Sequence, residues 1–303
     1  MKKKNLVTIK DLTRKEIFSI FKLAAKLKKY PLAKKRSLGN KTLALLFQKP
    51  SNRTRISFEV AMVHLGGYVL YLSPREIDMG KREPVKDVAR VVSRYVDGIV
   101  GRVFRHQDIQ DIAKYSDVPV INGLSDLAHP CQALSDIFTV REKKKSKNVT
   151  VSYVGDGNNV LNSLLLVSAK TGVNMKVATP SEYRPNKEIL DEAVESAKKN
   201  GARIEIFQDP YEAVKGSDVV YTDVWVSMGS EQERAKRLKD FKPFQVNAAL
   251  MREAKKEALI MHCLPAHRGE EVTDVIDGKN SIIYDQAENR MHVQKAILLK
   301  MLG

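Results

Sequence analysis

Four short stretches carry side chains suited to binding and activating small charged molecules. In QKPSNRTR, residues 48–55, Ser51 precedes an amphipathic stretch and Arg53 and Arg55 stand beside it. The first amides of a helix lack intrahelical partners and the dipole makes that end positive, so it suits an anion, and guanidinium groups add full charge. The same pattern also describes a capped surface helix with two arginines. His129-Pro130-Cys131-Gln132 offers an imidazole and an amide three residues apart, although a lone histidine here also reads as a core residue or a cap. Asp223, followed by Ser227-Met228-Gly229, lies in a 222–233 loop with acids and no Lys or Arg before 234, as a cationic ligand would require. His262-Cys263-Leu264-Pro265 supplies a thiol.

Two cofactor readings are weak on these residues. His262, Cys263 and His267 have the right types for a metal, but they occupy a proline-containing loop without helical i, i+4 spacing and without an evident fourth ligand, so no metal is expected. Gly155-Asp156-Gly157 opens like a dinucleotide loop. Val160 stands where the third glycine belongs, and no acid occurs at 174–179, which argues against nicotinamide binding.

The elements that must position these groups alternate along the chain. β-branched runs begin near residues 41, 68, 97, 118, 149, 174, 202, 218, 258 and 281, the last being SIIY, with helical patterns between them. This pattern predicts an α/β protein with two doubly wound domains of largely parallel strands. Ligands of such sheets bind beyond the carboxyl ends of the strands, where Ser51, Arg102, His129, Gly155, Asp223 and Cys263 all fall, so the active site is expected in a cleft between the domains. Thr13 and Glu16 form a capping-box pair before a stripe of Ile17, Ile20, Phe21, Ala24 and Leu27. Ser51 reads as the cap of a helix with Ile56, Phe58, Val60, Ala61 and His64 on its apolar side, ended by Gly66-Gly67, and Pro84 as the first residue of another helix. The basic run REKKKSK, 141–147, marks the boundary between a domain over 1–145 and one over 146–286, with a closing helix, 287–303, packing back on the first.

At 303 residues the chain exceeds the size at which one core keeps growing, and 43% apolar content supports two. Two cysteines are too few for a disulfide framework, and a reducing, cytoplasmic setting fits. No stretch approaches the ~18 apolar residues of a membrane span. The formal charge of +16 accompanies no zinc-finger, basic-zipper or aromatic ribonucleoprotein signature, so neither a membrane nor a nucleic acid is expected as partner.

Together the four stretches resemble the signature set of the aspartate/ornithine carbamoyltransferases, in order, from about Leu43 to the last helix. Ser-Met-Gly and His-Cys-Leu-Pro are similar to the ornithine branch. The resemblance implies direct transfer, without metal or organic cofactor, of a carbamoyl group from carbamoyl phosphate to the side-chain amine of L-ornithine, giving citrulline and phosphate in arginine biosynthesis. It assigns the phosphate to Ser51, Asn52, Arg53 and Thr54, with Arg102 bridging phosphate and carbonyl. It assigns the carbamoyl group to His129 and Gln132, with Pro130, Cys131, Cys263, the Leu264 carbonyl and Arg290 completing that site. Asn159 and groups near Met228 would hold the α-carboxylate of ornithine, Asp223 and Ser227 its α-amino end. Cys263, Arg102 and His129 would act in catalysis, and the chain would assemble as a homotrimer or a multiple of trimers.

A sibling transferase for another amine, such as putrescine, is the nearest alternative; putrescine lacks the carboxylate that Asn159 would serve. The chain departs from the pattern of the family it resembles at Asn52, where that family usually has Thr, and at Asp78, where it usually has Gln or His. Asp78 would repel phosphate, so Lys81 or Arg82 is expected to pair with it or to reach a neighbouring subunit's phosphate site.

Overall fold

The computed structural model describes residues 4–31, 33–146, 148–227, 229 and 231–303. The chain forms two compact units, Met1–Phe138 with Glu288–Gly303, and Thr139–Ala287. The elements are α1 Arg14–Lys29, β1 Thr42–Phe47, α2 Asn52–His64, β2 Tyr68–Leu72, α3 Pro74–Ile77, α4 Val85–Val92, β3 Gly98–Arg102, α5 His106–Tyr115, β4 Val120–Leu124 and α6 Pro130–Lys143. They continue with β5 Thr150–Val154, α7 Asn159–Thr171, β6 Asn174–Ala178, α8 Lys187–Asn200, β7 Ile204–Phe207, α9 Pro210–Val214, β8 Val219–Thr222, α10 Arg234–Asp240, α11 Ala248–Met251, β9 Leu259–His262 and α12 Ile283–Leu302.

Both units are α/β with parallel sheets. The first sheet runs β2-β1-β3-β4 and the second β7-β6-β5-β8-β9. In each, the strand order reverses beside the first strand of the unit, which opens a crevice at the carboxyl ends of neighbouring strands. β1 pairs Leu46 with Gly101 and Phe47 with Arg102, so Ser51 and Arg102 leave the sheet at adjacent ends. β8 pairs Thr222 with His262, which brings Asp223 and Cys263 out side by side. β3 is buried along its whole length, as expected for a strand covered on both faces. Leu46, Ile99, Val88, Ile109 and Ile112 share one core of the first unit; Val154, Ala178, Val220, Val246 and Ile283 share one of the second.

Local signals place the helices. Thr13 and Glu16 cap each other's backbone at α1, and Ile17, Ile20, Phe21, Ala24 and Leu27 are buried. Ser51 caps α2 by accepting from Thr54 N, and Gly66, at φ 87, follows its last turn. Three readings need correction. SIIY is not a tenth strand: Ser281 makes an isolated bridge to Ile260, and Ile283 already starts α12, because a short β-branched run satisfies a buried helix start equally well. Pro84 is the N-cap of α4, and Val85 its first residue. Ile56 is not on the buried side of α2, which Thr54, Phe58, Ala61 and Met62 form; Ile56 is exposed with Val63. Asp78 ends α3 in the left-handed region at φ 36, and its carbonyl accepts from the amides of Lys81 and Arg82.

Candidate active site

In the first unit the start of α2 meets the last helix. Ser51 Oγ accepts from Thr54 N at 3.2 Å and donates to Thr54 Oγ1, which also accepts from Arg290 Nη2 at 2.9 Å. Thr54, Arg102, His129, Gln132 and Arg290 are all buried, whereas Asn52 is exposed and Arg53 half-buried. Burial, and then the charges of Arg290, Arg102, Lys49 and Arg53, hold the His129 imidazole well below its usual range. His129 is therefore a neutral N–H donor surrounded by four cations. That combination suits an anion with several negative oxygens, with a donor beside it.

Arg55 belongs elsewhere: Nε donates to Glu59 Oε1 at 2.9 Å, and the guanidinium lies 3.9 Å from the Tyr71 ring centroid. Gln48 ties the strand ends together. Its Oε1 accepts from Phe104 N, its Nε2 donates to Met79 O and Asp108 Oδ2, and its amide donates to Arg102 O. Asn122 Nδ2 donates to Val7 O, Ser125 Oγ and Ala128 O, which sets the turn before His129. Pro130 opens α6, and Cys131 is buried with its thiol pushed up to about 12 and directed at Asn122 O, so its sulfur is inert.

The second unit gathers acids. Asn158 Oδ1 accepts from Val160 N and Leu161 N, and its Nδ2 donates to Asp223 Oδ2 at 2.8 Å. Cys263 Sγ donates to Asp223 Oδ1 at 3.0 Å. Burial raises Asp156 to about 6 against the pull of Arg237, whose Nη1 lies 3.0 Å away and also donates to Trp225 O. Gly155 has φ 143, which favours glycine, and a Cβ on Gly157 would lie 2.3 Å from Arg184 C, so Gly157 lets two backbone segments pack closely. Asn159 begins α7, Ser227 is half-buried in the turn after Asp223, and Met228 lies outside the described residues.

His262 joins Cys263 and Leu264 to a buried acid. Leu264 N donates to His262 Nδ1 at 2.8 Å, so the other ring nitrogen, Nε2, carries the proton and donates to Glu271 Oε1 at 3.2 Å. Burial raises Glu271, and the hydrogen bonds from His262 and His267 N outweigh it and leave its pKa lowered. Leu264 is held at φ 62, a strained conformation for a branched side chain and one that clusters at functional sites. Asp223, His262 and Cys263 bring one possible metal-ligand atom each within 4.8 Å. Both nitrogens of His262 and the thiol are already engaged in hydrogen bonds, so a metal would have to break this set.

The family model described as the carbamoyl-P binding domain of aspartate/ornithine carbamoyltransferase matches residues 4–142, and the one described as the Asp/Orn binding domain matches 147–301. The chain belongs to the aspartate/ornithine carbamoyltransferase family. It is 52% identical over 307 residues to ornithine carbamoyltransferase of Pyrococcus horikoshii, covering 100% of this chain and 97% of that one. Identity is also 52% with the Pyrococcus furiosus protein named ornithine carbamoyltransferase, anabolic, covering 99% and 96%. A solved structure of ornithine carbamoyltransferase from P. furiosus superposes with a TM-score of 0.95 at 52% identity, covering 99% and 97%.

Lys49, Asp136, Asn158, Arg237 and Glu271 were absent from the sequence assignment. Lys49 lies inside QKPSNRTR, Asn158 is a good N-cap before α7, and Asp136 stands one helical turn from Gln132, so each had a local signal. Arg237 and Glu271 reach the site only through tertiary packing.

Proposed function

We propose that the protein transfers the carbamoyl group of carbamoyl phosphate to the side-chain amine of L-ornithine, releasing citrulline and phosphate. The observation that carries the reading is the contrast between the half-sites: four cations around a neutral histidine in one unit, and Asp223 with Asn158 and Cys263 in the other. An anionic donor fits the first and a cationic acceptor the second.

Ser51, Asn52, Arg53 and Thr54 hold the phosphate at the N-terminus of α2, with Arg290 behind Thr54 and Lys49 adding charge. Arg102 spans phosphate and carbonyl. His129, as a neutral donor, stabilises the negative charge that builds on the carbonyl oxygen when the amine attacks. Gln132, the Leu264 carbonyl and main-chain groups of Pro130, Cys131 and Cys263 complete the carbamoyl contacts. Asp223 and Ser227 meet the α-ammonium of ornithine, and Asn159 with groups near Met228 its carboxylate. The attacking amine must first lose its proton, because an ammonium has no lone pair; the Cys263 thiol donates its own proton to Asp223, so the amine's proton goes to the Asp223 carboxylate, or to the sulfur once the thiol proton has passed to Asp223. The carbon–nitrogen bond forms as the carbon–oxygen bond to phosphate breaks, with no covalent enzyme intermediate. Positioning two substrates and meeting the oxyanion supply most of the acceleration.

The relative named anabolic supports a place in arginine biosynthesis. Ile56 and Val63 on α2, with Tyr68 and Leu70 on edge strand β2, are each at least half exposed and form an apolar face suited to a second copy of the chain, which supports a trimer. A colorimetric citrulline assay with carbamoyl phosphate and L-ornithine, L-aspartate and putrescine tests the reading. Ornithine is expected to be far the best acceptor; equal turnover of putrescine overturns the assignment.

A further inference from the structure

Gln132 and Asp136 lie one turn apart on α6, and both are sealed from solvent. Gln132 Nε2 donates to Asp136 Oδ1 at 2.8 Å. A carboxylate accepts hydrogen bonds, so this contact fixes which end of the amide is which: the NH2 faces Asp136 and the carbonyl oxygen faces away. That oxygen, Oε1, is buried and meets no hydrogen-bond donor among the described residues. Buried amide oxygens are almost always satisfied, because leaving one unmet forfeits its hydration without return. The fold thus holds open one acceptor, oriented by a carboxylate.

His129, whose carbonyl accepts from Ala133 N at the start of the same helix, stands three residues before Gln132 and shares its side of the first turn. Its ring is a neutral donor. A donor beside an acceptor matches a carbonyl beside an NH2. Phosphate dianion has acceptors only and gives Oε1 nothing to bind, and a methyl group would leave it equally unmet.

We propose that Asp136 is a positioning residue that turns the Gln132 oxygen toward the NH2 of the carbamoyl group, and so makes the site choose a carbamoyl over an acyl phosphate. This rests on the functional reading above. Asparagine at 136 could donate to Gln132 Oε1 and so let the amide turn its NH2 to the ligand, where the carbamoyl NH2 would find a donor instead of an acceptor.

The test uses the full chain, wild type and Asp136→Asn, with inorganic phosphate, carbamoyl phosphate and acetyl phosphate as ligands. Calorimetry gives phosphate affinity, and competition against carbamoyl phosphate in the citrulline assay gives the preference between donors. Asp136→Asn is expected to bind inorganic phosphate like the wild type while its carbamoyl-to-acetyl preference drops about tenfold or more, the scale of one lost hydrogen bond. Gln132→Met, which removes the acceptor at similar volume, is expected to lose the same preference and serves if Asp136→Asn does not fold. Retained preference in either folded variant overturns the proposal, as does an equal loss for all three ligands, the mark of a merely structural role. A wild type that makes no citrulline yet binds carbamoyl phosphate more tightly than acetyl phosphate by calorimetry upholds this proposal and overturns the functional reading. Citrulline formation with no such preference overturns this proposal alone.

Discussion

Cys263 Sγ donates to Asp223 Oδ1 across 3.0 Å, so the only thiol of the second unit is anchored by an acid that Asn158 holds from the other side. A serine hydroxyl keeps this donor but, unlike the thiol, cannot give up its proton to Asp223 and become an acceptor at accessible pH. Cys263→Ser is expected to bind carbamoyl phosphate normally and to turn over on the order of 10²-fold more slowly, the lower range of a proton-transfer contribution. Steady-state kinetics with parallel calorimetry check it; wild-type turnover would remove Cys263 from the chemistry.

Arg290→Ala deletes the guanidinium that donates to Thr54 Oγ1 and one of the four charges around His129. A hydrogen bond involving a charged group contributes about 1.5–3 kcal/mol, so inorganic phosphate should bind roughly 10- to 100-fold more weakly. Isothermal calorimetry of the folded variant measures this directly, and unchanged affinity would place the phosphate elsewhere.

The pH–rate profile should reflect the substrate and not His129. With the imidazole held neutral, kcat/KM rises with pH as the ornithine amine deprotonates, whose solution pKa is close to the ~10.4 of lysine. His129→Gln should lower the rate and keep the slope. An acid limb near pH 6.5 that vanished in the variant would show a charged ring.

Stability should fall as pH drops below the ordinary histidine pKa of about 6.5. Burial lowers the folded pKa of His129, His106, His292 and His64, so the unfolded chain binds their protons first; their contribution is complete above that value and is lost below it. Asp156, raised to about 6 in the folded chain, works in the opposite sense, as one group against four. A Tm measured from pH 8 to 5 should therefore decline on the acid side; a rising Tm contradicts it.

Charging the exposed face of α2 should separate subunits without unfolding them. Ile56→Glu with Val63→Glu places two carboxylates on solvent-facing positions, which single chains tolerate and an apolar interface does not. Sedimentation analysis is expected to show trimers in the wild type and monomers in the double variant. A wild-type monomer ends the assembly reading.

Much of this organisation was legible where a local rule governs it. The Thr13–Glu16 pair, the Ser51 cap and the alternation of β-branched runs with helical stripes act within a few residues, and the structure keeps all three. Ile56 and SIIY were misread because an apolar residue does not say whether it faces its own core or another chain, nor a short apolar run whether it is strand or helix. The sequence puts Asp223 and Cys263 each after a strand, but only the structure shows those strands to be neighbours, and the Glu271 that fixes His262 comes from a loop nine residues on with no periodicity to connect them. Of two adjacent asparagines before a helix, the sequence does not say which caps it; the structure gives that part to Asn158.

The contact between Arg290 and Thr54 joins residues 236 positions apart within one unit. A ribosome delivers the chain from its start, so Thr54, Arg102 and His129 emerge long before the helix that completes their surroundings. Until residue 290 has left the exit tunnel, the nascent first unit lacks both α12 and one of the four charges around His129. On the proposed function, a chain stopped short of residue 290 is left with a weakened phosphate half-site although Thr54, Arg102 and His129 have all been made.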